Sequence, residues 1–198
     1  MSDIVSVSEN HVHATTAVPA PDFAMAERFL RALAPECKVH CFQTFDDHGQ
    51  NPHLARTLHG SLDDLGDTLK QMNAQGAGVF VTVNEVVQGK PRRVENVTKV
   101  RALFADLDDP DRRGEVEARI ADLKLPPSIT VETSPGRRHY YWRIAGCPLA
   151  EFPEAQRALA KLLGTDSVVC DLPRVMRVPG FVHRKGVPFV LKLLEAHE

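Results

Sequence analysis

Two aspartates stand two residues apart at the end of an apolar stretch, residues 97–108 (VTKVRALFADLD). The apolar and β-branched content predicts a strand, in which Asp106 and Asp108 share the face opposite to Leu107. Two carboxylates that close repel each other unless a cation binds between them or one of them is protonated. The fold must therefore bury one face of this strand and leave its acidic face open to a cation or to solvent.

Hard oxygen ligands of this kind suit Mg²⁺ or Mn²⁺. A pair of such ions serves phosphoryl transfer, because one ion activates the attacking oxygen and the other stabilises the leaving oxygen. The alternative is a strand that simply runs into an acidic turn, since Asp109, Pro110 and Asp111 follow directly. Taken by itself, the segment leaves both interpretations open.

Hydrophobic spacing predicts four helices, over residues 23–34, 62–75, 113–124 and 151–164. Strands are predicted over residues 39–45, 78–84, 97–108, 128–134, 139–144 and 187–195, with a loop over 46–60. Asp22 is the predicted N-cap of the first helix, and Ser61 with Asp64 forms a capping-box-like start of the second. Because strands and helices intermingle without regular alternation, we predict an α/β or α+β fold with a mixed sheet.

Residues 1–21 are polar and predict a flexible N-terminal arm, which leaves residues 22–198 as the folded domain. No apolar run approaches the roughly 20 residues that cross a bilayer, and the start of the chain lacks a signal-peptide pattern. We therefore expect a cytoplasmic protein with no membrane partner. Cys37 and Cys41 have no second pair at zinc-ligand spacing, so the four cysteines are interpreted as buried thiols.

A second group of polar residues, 133–142 (TSPGRRHYYW), surrounds a predicted hairpin turn. It combines a small hydroxyl, a glycine that lets the backbone approach a ligand closely, two arginines and a histidine. These are the donors expected around a triphosphate. A hairpin with a solvated basic turn is the alternative.

The third group spans residues 166–185 (DSVVCDLPRVMRVPGFVHRK), where two aspartates precede a basic stretch. From Arg174 to Lys192 the chain holds five basic residues and no acidic one. Arg174 and Arg177 suit phosphate groups of a nucleotide or a template, and one aspartate would complete a carboxylate trio. Apolar residues between the arginines favour a packed element over a surface loop with incidental charge.

In content and order, the three groups resemble the motifs of the archaeo-eukaryotic primase and primase-polymerase superfamily. They are most similar to the RepB-like primases of plasmids, phages and integrated elements, through residues 101–108, 133–142 and 166–181. The resemblance covers about residues 22–193. It implies a two-lobed primase-polymerase core in which an RRM-like mixed sheet joins an N-terminal α/β lobe, with the active site in the cleft between the lobes.

The resemblance implies that Asp106 and Asp108 are the first two metal ligands, with Asp166 as the third and Asp171 as its rival. It also implies nucleotide contacts from Ser134, Gly136, Arg138, His139, Arg174, Arg177 and Lys185. The implied activity is DNA-template-dependent nucleotidyl transfer that makes primers, with extension of the primer left open. The implied partners are two Mg²⁺ or Mn²⁺ ions, nucleoside triphosphates and a single-stranded DNA template.

Relatives often continue into a helical accessory region or a helicase, which leaves open whether this chain is part of a longer protein. Two rival functions also remain. One is a catalytically silent replication-initiator module that binds single-stranded DNA, although a pure binder gains nothing from acids beside a phosphate backbone. The other is a metal-dependent nuclease, which has no need of the triphosphate donors.

The charge balance limits how nucleic acid can be bound. The 24 basic and 26 acidic residues, a net charge of -2, argue against a histone-like binder. Residues 1–79 hold five basic and ten acidic residues, whereas residues 80–198 hold nineteen and sixteen. The positive excess lies with the three motifs, so a local and salt-sensitive contact with a template is expected.

Overall fold

The computed structural model describes residues 19–197, so most of the predicted N-terminal arm lies outside the described residues. The helices are α1 (Phe23–Leu33), α2 (Leu62–Ala74), α3 (Arg113–Leu123) and α4 (Phe152–Leu163). The strands of the first half are β1 (His40–Asp46), β2 (Arg56–Gly60), β3 (Ala77–Thr82), β4 (Glu85–Val86), β5 (Val97–Lys99) and β6 (Ala102–Leu107). Those of the second half are β7 (Ile129–Ser134), β8 (Arg137–Arg143), β9 (Val175–Arg177), β10 (Val182–His183), β11 (Phe189–Val190) and β12 (Lys192–Ala196).

The strands form two four-stranded sheets and two short ribbons. The first sheet has the order β2-β1-β3-β9 and the second the order β12-β7-β8-β6, while β4 pairs with β5 and β10 with β11. The predicted α/β class with two lobes is confirmed. The sequence predicted a mixed sheet. Every strand pairing among residues 19–197 is instead antiparallel.

The two sheets share one hydrophobic core with α1. Helix α1 packs against β7 and β12 of the second sheet and also contacts α2, which packs on β3 of the first sheet. Phe29 of α1 meets Tyr141 of β8 edge to face, with ring centroids 5.6 Å apart, and both are fully buried. Phe42 of the first sheet belongs to the same core. Burying such rings contributes about 2 kcal/mol each, so this core holds the two sheets together.

Helices α3 and α4 cover the other face of the second sheet. There Ala105, Leu107 and Tyr140 pack with residues of the two helices, namely Val116, Ile120 and Leu163. Strand β6 therefore buries side chains on both of its faces, while Leu103 and Asp106 are only partly buried. Among the described residues, no helix combines the length and apolar character needed to cross a membrane.

The helix starts follow the sequence prediction closely. The Asp22 carboxylate accepts a hydrogen bond from the Met25 amide at 2.9 Å, and Ser61 and Asp64 form a reciprocal capping box. The predicted loop over 46–60 was wrong in part, because β2 occupies its end as an edge strand, with Arg56 and Thr57 exposed and Gly60 buried.

The predicted strand over 97–108 is in fact two strands in different sheets. The strand conformation is interrupted at residues 100–101, where the buried Asn84 side chain accepts a hydrogen bond from the Arg101 amide. The Asn84 amide group also donates to the Leu172 carbonyl at 3.0 Å. This tertiary contact ends β5, and β6 then starts in the second sheet.

Gly180 joins the segment that follows β9 to the start of α1. Its amide donates to the Leu191 carbonyl and its carbonyl accepts from the Asp22 amide, both at 2.8 Å. Its φ is +87°, and a Cβ atom there would lie 2.2 Å from the Asp22 carbonyl oxygen. Only glycine fits, because both the backbone conformation and the neighbouring backbone atom exclude a side chain.

We expect Gly180→Ala to destabilise the protein by about 2–4 kcal/mol, since a steric clash of about 1–3 kcal/mol adds to a left-handed backbone cost of about 1 kcal/mol. Gly186→Ala is the matched control, because Gly186 also has a positive φ, +90°, but its Cβ would meet no atom within 4 Å. Urea denaturation of both variants measures the difference. Equal destabilisation would show that the contact with α1 is unimportant.

Candidate active site

A cleft of about 780 Å³ lies where the two sheets meet. The first sheet lines it with Phe45, Phe80 and Arg177. The second sheet and its hairpin contribute Asp106, Asp108, Ser134, Arg137 and His139. The chain around and after β9 contributes Arg174, His183 and Lys185. The three polar groups identified in the sequence therefore meet in one place.

The pairing of β6 with β8 sets Asp106 directly opposite His139. Directly opposed residues of antiparallel strands point to the same face. His139 Nε2 lies 3.5 Å from Asp106 Oδ1, and His139 Nδ1 lies 3.3 Å from the Tyr141 hydroxyl. Asp108 follows the end of β6 and lines the same cleft, so both aspartates face one cleft although only Asp106 lies within the strand.

Burial controls the charge of this pair. It raises the pKa of Asp106 to about 6, with the negative charge of Asp166 adding to the effect and Arg174 and Arg177 opposing it. Burial also lowers the pKa of His139 to about 3, helped by the charge of Arg177. His139 is therefore neutral at pH 7, and the surroundings do not fully compensate an ionised Asp106. A divalent cation would supply the missing positive charge, so the two carboxylates fit such an ion.

The third carboxylate is less well placed. Among residues 19–197, no three His, Cys, Asp or Glu side chains lie close enough together to hold a metal ion between them. Asp166 lies in an exposed loop and accepts a hydrogen bond from the Val168 amide at 2.8 Å. Asp171, its rival, pairs with Arg174. Asp166 influences the pKa of Asp106 through its charge, and it remains the predicted third ligand.

The hairpin turn brings Ser134 and Arg137 to the cleft. Arg137 Nε donates to the Asp108 carbonyl at 2.5 Å, and Arg137 Nη1 lies 3.4 Å from Ser134 Oγ. Gly136 forms the turn itself. Its φ is +80°, and a Cβ atom there would lie 2.7 Å from the Cβ atom of Pro110. Gly136 does not line the cleft, and its predicted contact with the nucleotide stays a prediction.

The structure places Arg138 outside the cleft, against the sequence-based role assigned to it. Arg138 lies on the opposite face of β8, where it pairs with Glu117 of α3 and lines a separate cavity of about 600 Å³. Neighbouring residues of a strand point to opposite faces. The cleft side that carries His139 therefore carries Arg137. Strand alternation alone was the signal that could have identified Arg137 from the sequence.

Arg177 reaches the cleft as part of a buried ion pair that sequence reasoning missed. Its guanidinium forms two hydrogen bonds with Asp47, at 2.6 and 3.3 Å, and the Asp47 side chain is 2% exposed. Asp47 also accepts from the Arg184 amide at 2.8 Å. Gly78 makes the room, because a Cβ there would lie 2.5 Å from Arg177 Nη1. Arg177 is therefore fixed in position before any ligand binds.

The remaining predicted cations lie along the same wall. Arg174 lines the cleft from the start of β9, and Lys185 lines it from an exposed turn. His183, which was not selected from the sequence, has its Nδ1 atom 3.3 Å from the Thr133 carbonyl. Its buried Nε2 atom has no hydrogen-bond partner among the described residues.

The cysteines take no part in the cleft lining. Cys41 is buried, as predicted, and burial raises the pKa of its thiol. The other three are only partly buried: Cys37, Cys147 and Cys170. Cys37 lies within 3.2 Å of an Arg101 nitrogen.

The fold is that of primase catalytic domains. The AEP domain of the primase-polymerase of cyanophage S-2L matches with a TM-score of 0.72 and 24% identity, over 90% of this chain and 92% of that domain. A crystal structure of the primase RepB′ matches with a TM-score of 0.64 and 22% identity, over 87% of this chain and 56% of that protein. The catalytic domain of the same primase, solved with initiator DNA, gives 0.61.

The chain belongs to the family of RepB DNA-primase N-terminal domains, whose model matches residues 50–198. The resemblance inferred from the three motifs is thus confirmed. A "Replication protein" of Clostridium perfringens is 27% identical over 145 residues, which are 66% of this chain and 35% of that protein. This chain therefore spans about a third of the length of that relative.

Asp106→Asn tests the electrostatics of the cleft. The side chain of Asp106 is 26% exposed, and its pKa rises from 3.8 when unfolded to about 6 when folded. Ionisation of Asp106 therefore lowers the free energy of unfolding. This loss is absent below about pH 4 and complete above about pH 6. The shift corresponds to about 3 kcal/mol.

We therefore expect Asp106→Asn to raise the free energy of unfolding by about 2–3 kcal/mol at pH 8 in metal-free buffer, and to leave it nearly unchanged at pH 4. Urea denaturation at the two pH values measures this. Asp67→Asn, on the exposed surface of α2, is the control and should change stability by less than about 0.5 kcal/mol. A gain from Asp106→Asn that is independent of pH would contradict the interpretation.

Proposed function

We propose that the chain is the catalytic part of a template-dependent nucleotidyltransferase that makes primers on single-stranded DNA. The observation that carries the proposal is the meeting of Asp106 and Asp108 with Ser134, Arg137 and His139 in one cleft between the sheets. The reaction joins the attacking hydroxyl oxygen to the α-phosphorus of a nucleoside triphosphate. Pyrophosphate leaves with the bond that breaks, and the hydroxyl proton passes to solvent.

The acidic side of the cleft would hold the cations. Asp106 and Asp108 would bind two Mg²⁺ or Mn²⁺ ions, with Asp166 as the proposed third ligand. When bound, such ions lower the pKa of the attacking hydroxyl and neutralise charge on the pyrophosphate. The raised pKa of Asp106 supports this role, since the nearby arginines do not fully offset the negative charge of this partly buried carboxyl.

The hairpin side would hold the triphosphate. Arg137 is anchored by the Asp108 carbonyl and lies beside Ser134 Oγ, which leaves guanidinium N–H groups for phosphate oxygens. His139 is neutral at pH 7, so it can donate one proton and accept at its other nitrogen without adding charge. Arg174 and Lys185 lie on the facing wall, where they suit the phosphates of the nucleotide or the template.

The nuclease and the silent binder explain fewer of these contacts. A nuclease needs the carboxylates but has no use for a hydroxyl, a guanidinium and an imidazole gathered beside them. A silent binder gains nothing from undercompensated acids in a cationic cleft. The helicase or helical accessory region stays a prediction, as does the cytoplasmic location.

The double variant Asp106→Asn/Asp108→Asn tests the proposal. It should lower primer synthesis on single-stranded DNA by more than about 100-fold, because even residues that only orient metal ligands are worth 10- to 100-fold. The assay uses labelled nucleotides with Mg²⁺ or Mn²⁺, and circular dichroism reports the fold. Asp67→Asn/Asp122→Asn, two exposed helical aspartates, should remain fully active.

Primer synthesis by the cleft variant at the wild-type rate would rule the site out. Degradation of labelled DNA in the absence of nucleotides would favour the nuclease instead. DNA binding without either reaction in the wild-type protein would favour the silent module.

Arg137 and Arg138 provide a matched pair on opposite faces of β8. Arg137→Ala should raise the KM for the nucleotide by about 10- to 100-fold, because hydrogen bonds to charged groups contribute about 1.5–3 kcal/mol each. Arg138→Ala removes the same charge from the far side of the sheet and should change KM by less than about threefold. Steady-state kinetics with varied nucleotide measures both, and equal effects would contradict the assignment of Arg137 to the triphosphate.

A further inference from the structure

One wall of the cleft carries an aromatic group that the proposed chemistry does not use. On the first sheet Phe45 pairs with Gly78, and Phe80 pairs with both Gln43 and Arg177. Since directly opposed residues share a face, Phe45, Phe80 and Arg177 lie together on the side that lines the cleft. The other face of the same sheet is the hydrophobic core.

Phe45 is the exposed ring of this group. It is 37% exposed and meets Phe80 edge to face, with centroids 5.5 Å apart. Phe80 is itself covered by the Arg177 guanidinium, 4.6 Å from its centroid, and Arg177 is held by the buried Asp47. Opposite Phe45 stands Gly78, which has no side chain to cover it. The ring is therefore supported at its edge while part of its surface is open to the cleft.

The charges around this ring indicate what it binds. Arg174, Arg177 and Lys185 line the same cleft. Asp171 pairs with Arg174 and Asp47 with Arg177, but each guanidinium has further N–H donors, so this wall favours a ligand that offers negative charge as well as an apolar surface for the ring. A nucleic-acid strand satisfies both requirements, because its phosphates pair with cations and its bases stack on aromatic side chains. A β-sheet face with exposed aromatic rings is a known geometry for this kind of stacking.

We propose that Phe45 stacks on a nucleobase of the single-stranded DNA template, with Phe80 and Arg177 as its support. The proposal rests on the proposed function and adds a template subsite to it. The template is favoured over the incoming nucleotide because the triphosphate donors Ser134, Arg137 and His139 come from the second sheet. Phe45 stands on the first sheet, which forms the other wall of the cleft.

The test compares two oligonucleotides of equal length, one a homopolymer and one with abasic residues at its centre. Both carry the same phosphates, so a difference in Kd reports the bases alone. Fluorescence anisotropy without metal or nucleotide gives the Kd values at fixed low salt. We expect the wild-type protein to bind the abasic strand about tenfold more weakly, as base stacking on aromatic side chains predicts.

Phe45→Ala should bind both strands with one weak affinity, and Phe45→Trp should restore the preference for the strand with bases. Leu162→Ala is the control, because Leu162 is an exposed apolar residue on α4, outside the cleft lining. It should keep the wild-type preference. Circular dichroism and urea denaturation confirm that each variant is folded.

Several results would overturn the proposal. A wild-type protein that binds neither strand, or binds both equally, has no template stacking site. A Phe45→Ala protein that keeps the full preference places the stacking elsewhere. If Phe45→Ala instead raises only the KM for the nucleotide, the stacked base belongs to the incoming nucleotide.

Failure of the proposed function has a different signature. The binding assay contains no nucleotide, so loss of the base preference in Phe45→Ala would stand even if the wild-type protein made no primers. Conversely, a protein that makes primers but shows no base preference retains the proposed function without this subsite.

Discussion

The antiparallel register of β6 and β8 decides where the chemistry of this protein lies. It places Asp106 opposite His139 and leaves Asp108 just beyond the strand end, beside the hairpin that carries Arg137. The adjacent positions of both strands are buried against α3 and α4. A slip of one residue would exchange these two faces and bury the acids among apolar side chains. The core that fixes the register therefore also fixes the candidate active site.

The facing wall depends on a different contact, the buried pair of Asp47 and Arg177. A buried ion pair contributes little net stability, but removing one partner leaves an uncompensated charge. Here the pair fixes the positions of its neighbours, because Asp47 also accepts a hydrogen bond from the Arg184 amide and Arg177 covers the Phe80 ring. It links the first sheet to the turn that carries Lys185. The cationic wall is thus preorganised, which lowers the cost of ordering side chains when a phosphate binds.

Much of the local structure could be predicted because its causes are local. The Asp22 cap and the capping box of Ser61 and Asp64 involve residues at most three positions apart, and both are present. Apart from β2, which pairs with the nearby β1, the features missed depend on distant partners. Strand β9 pairs with β3, nearly a hundred residues earlier in the chain, and the break before β6 depends on the Asn84 side chain. Arg138 was predicted in place of Arg137 because residue type alone does not distinguish two neighbouring arginines, whereas strand alternation does.

The amino-acid sequence by itself determined the family and the order of the three motifs, since these depend only on which residues occur and in what succession. It also determined that two acids share a face, because alternation along a strand is a local property of the backbone. Only the tertiary structure decided that Asp47 holds Arg177 and that Phe45 stands on the facing wall. These facts follow from the packing of two sheets on one core, which joins residues that the chain keeps far apart.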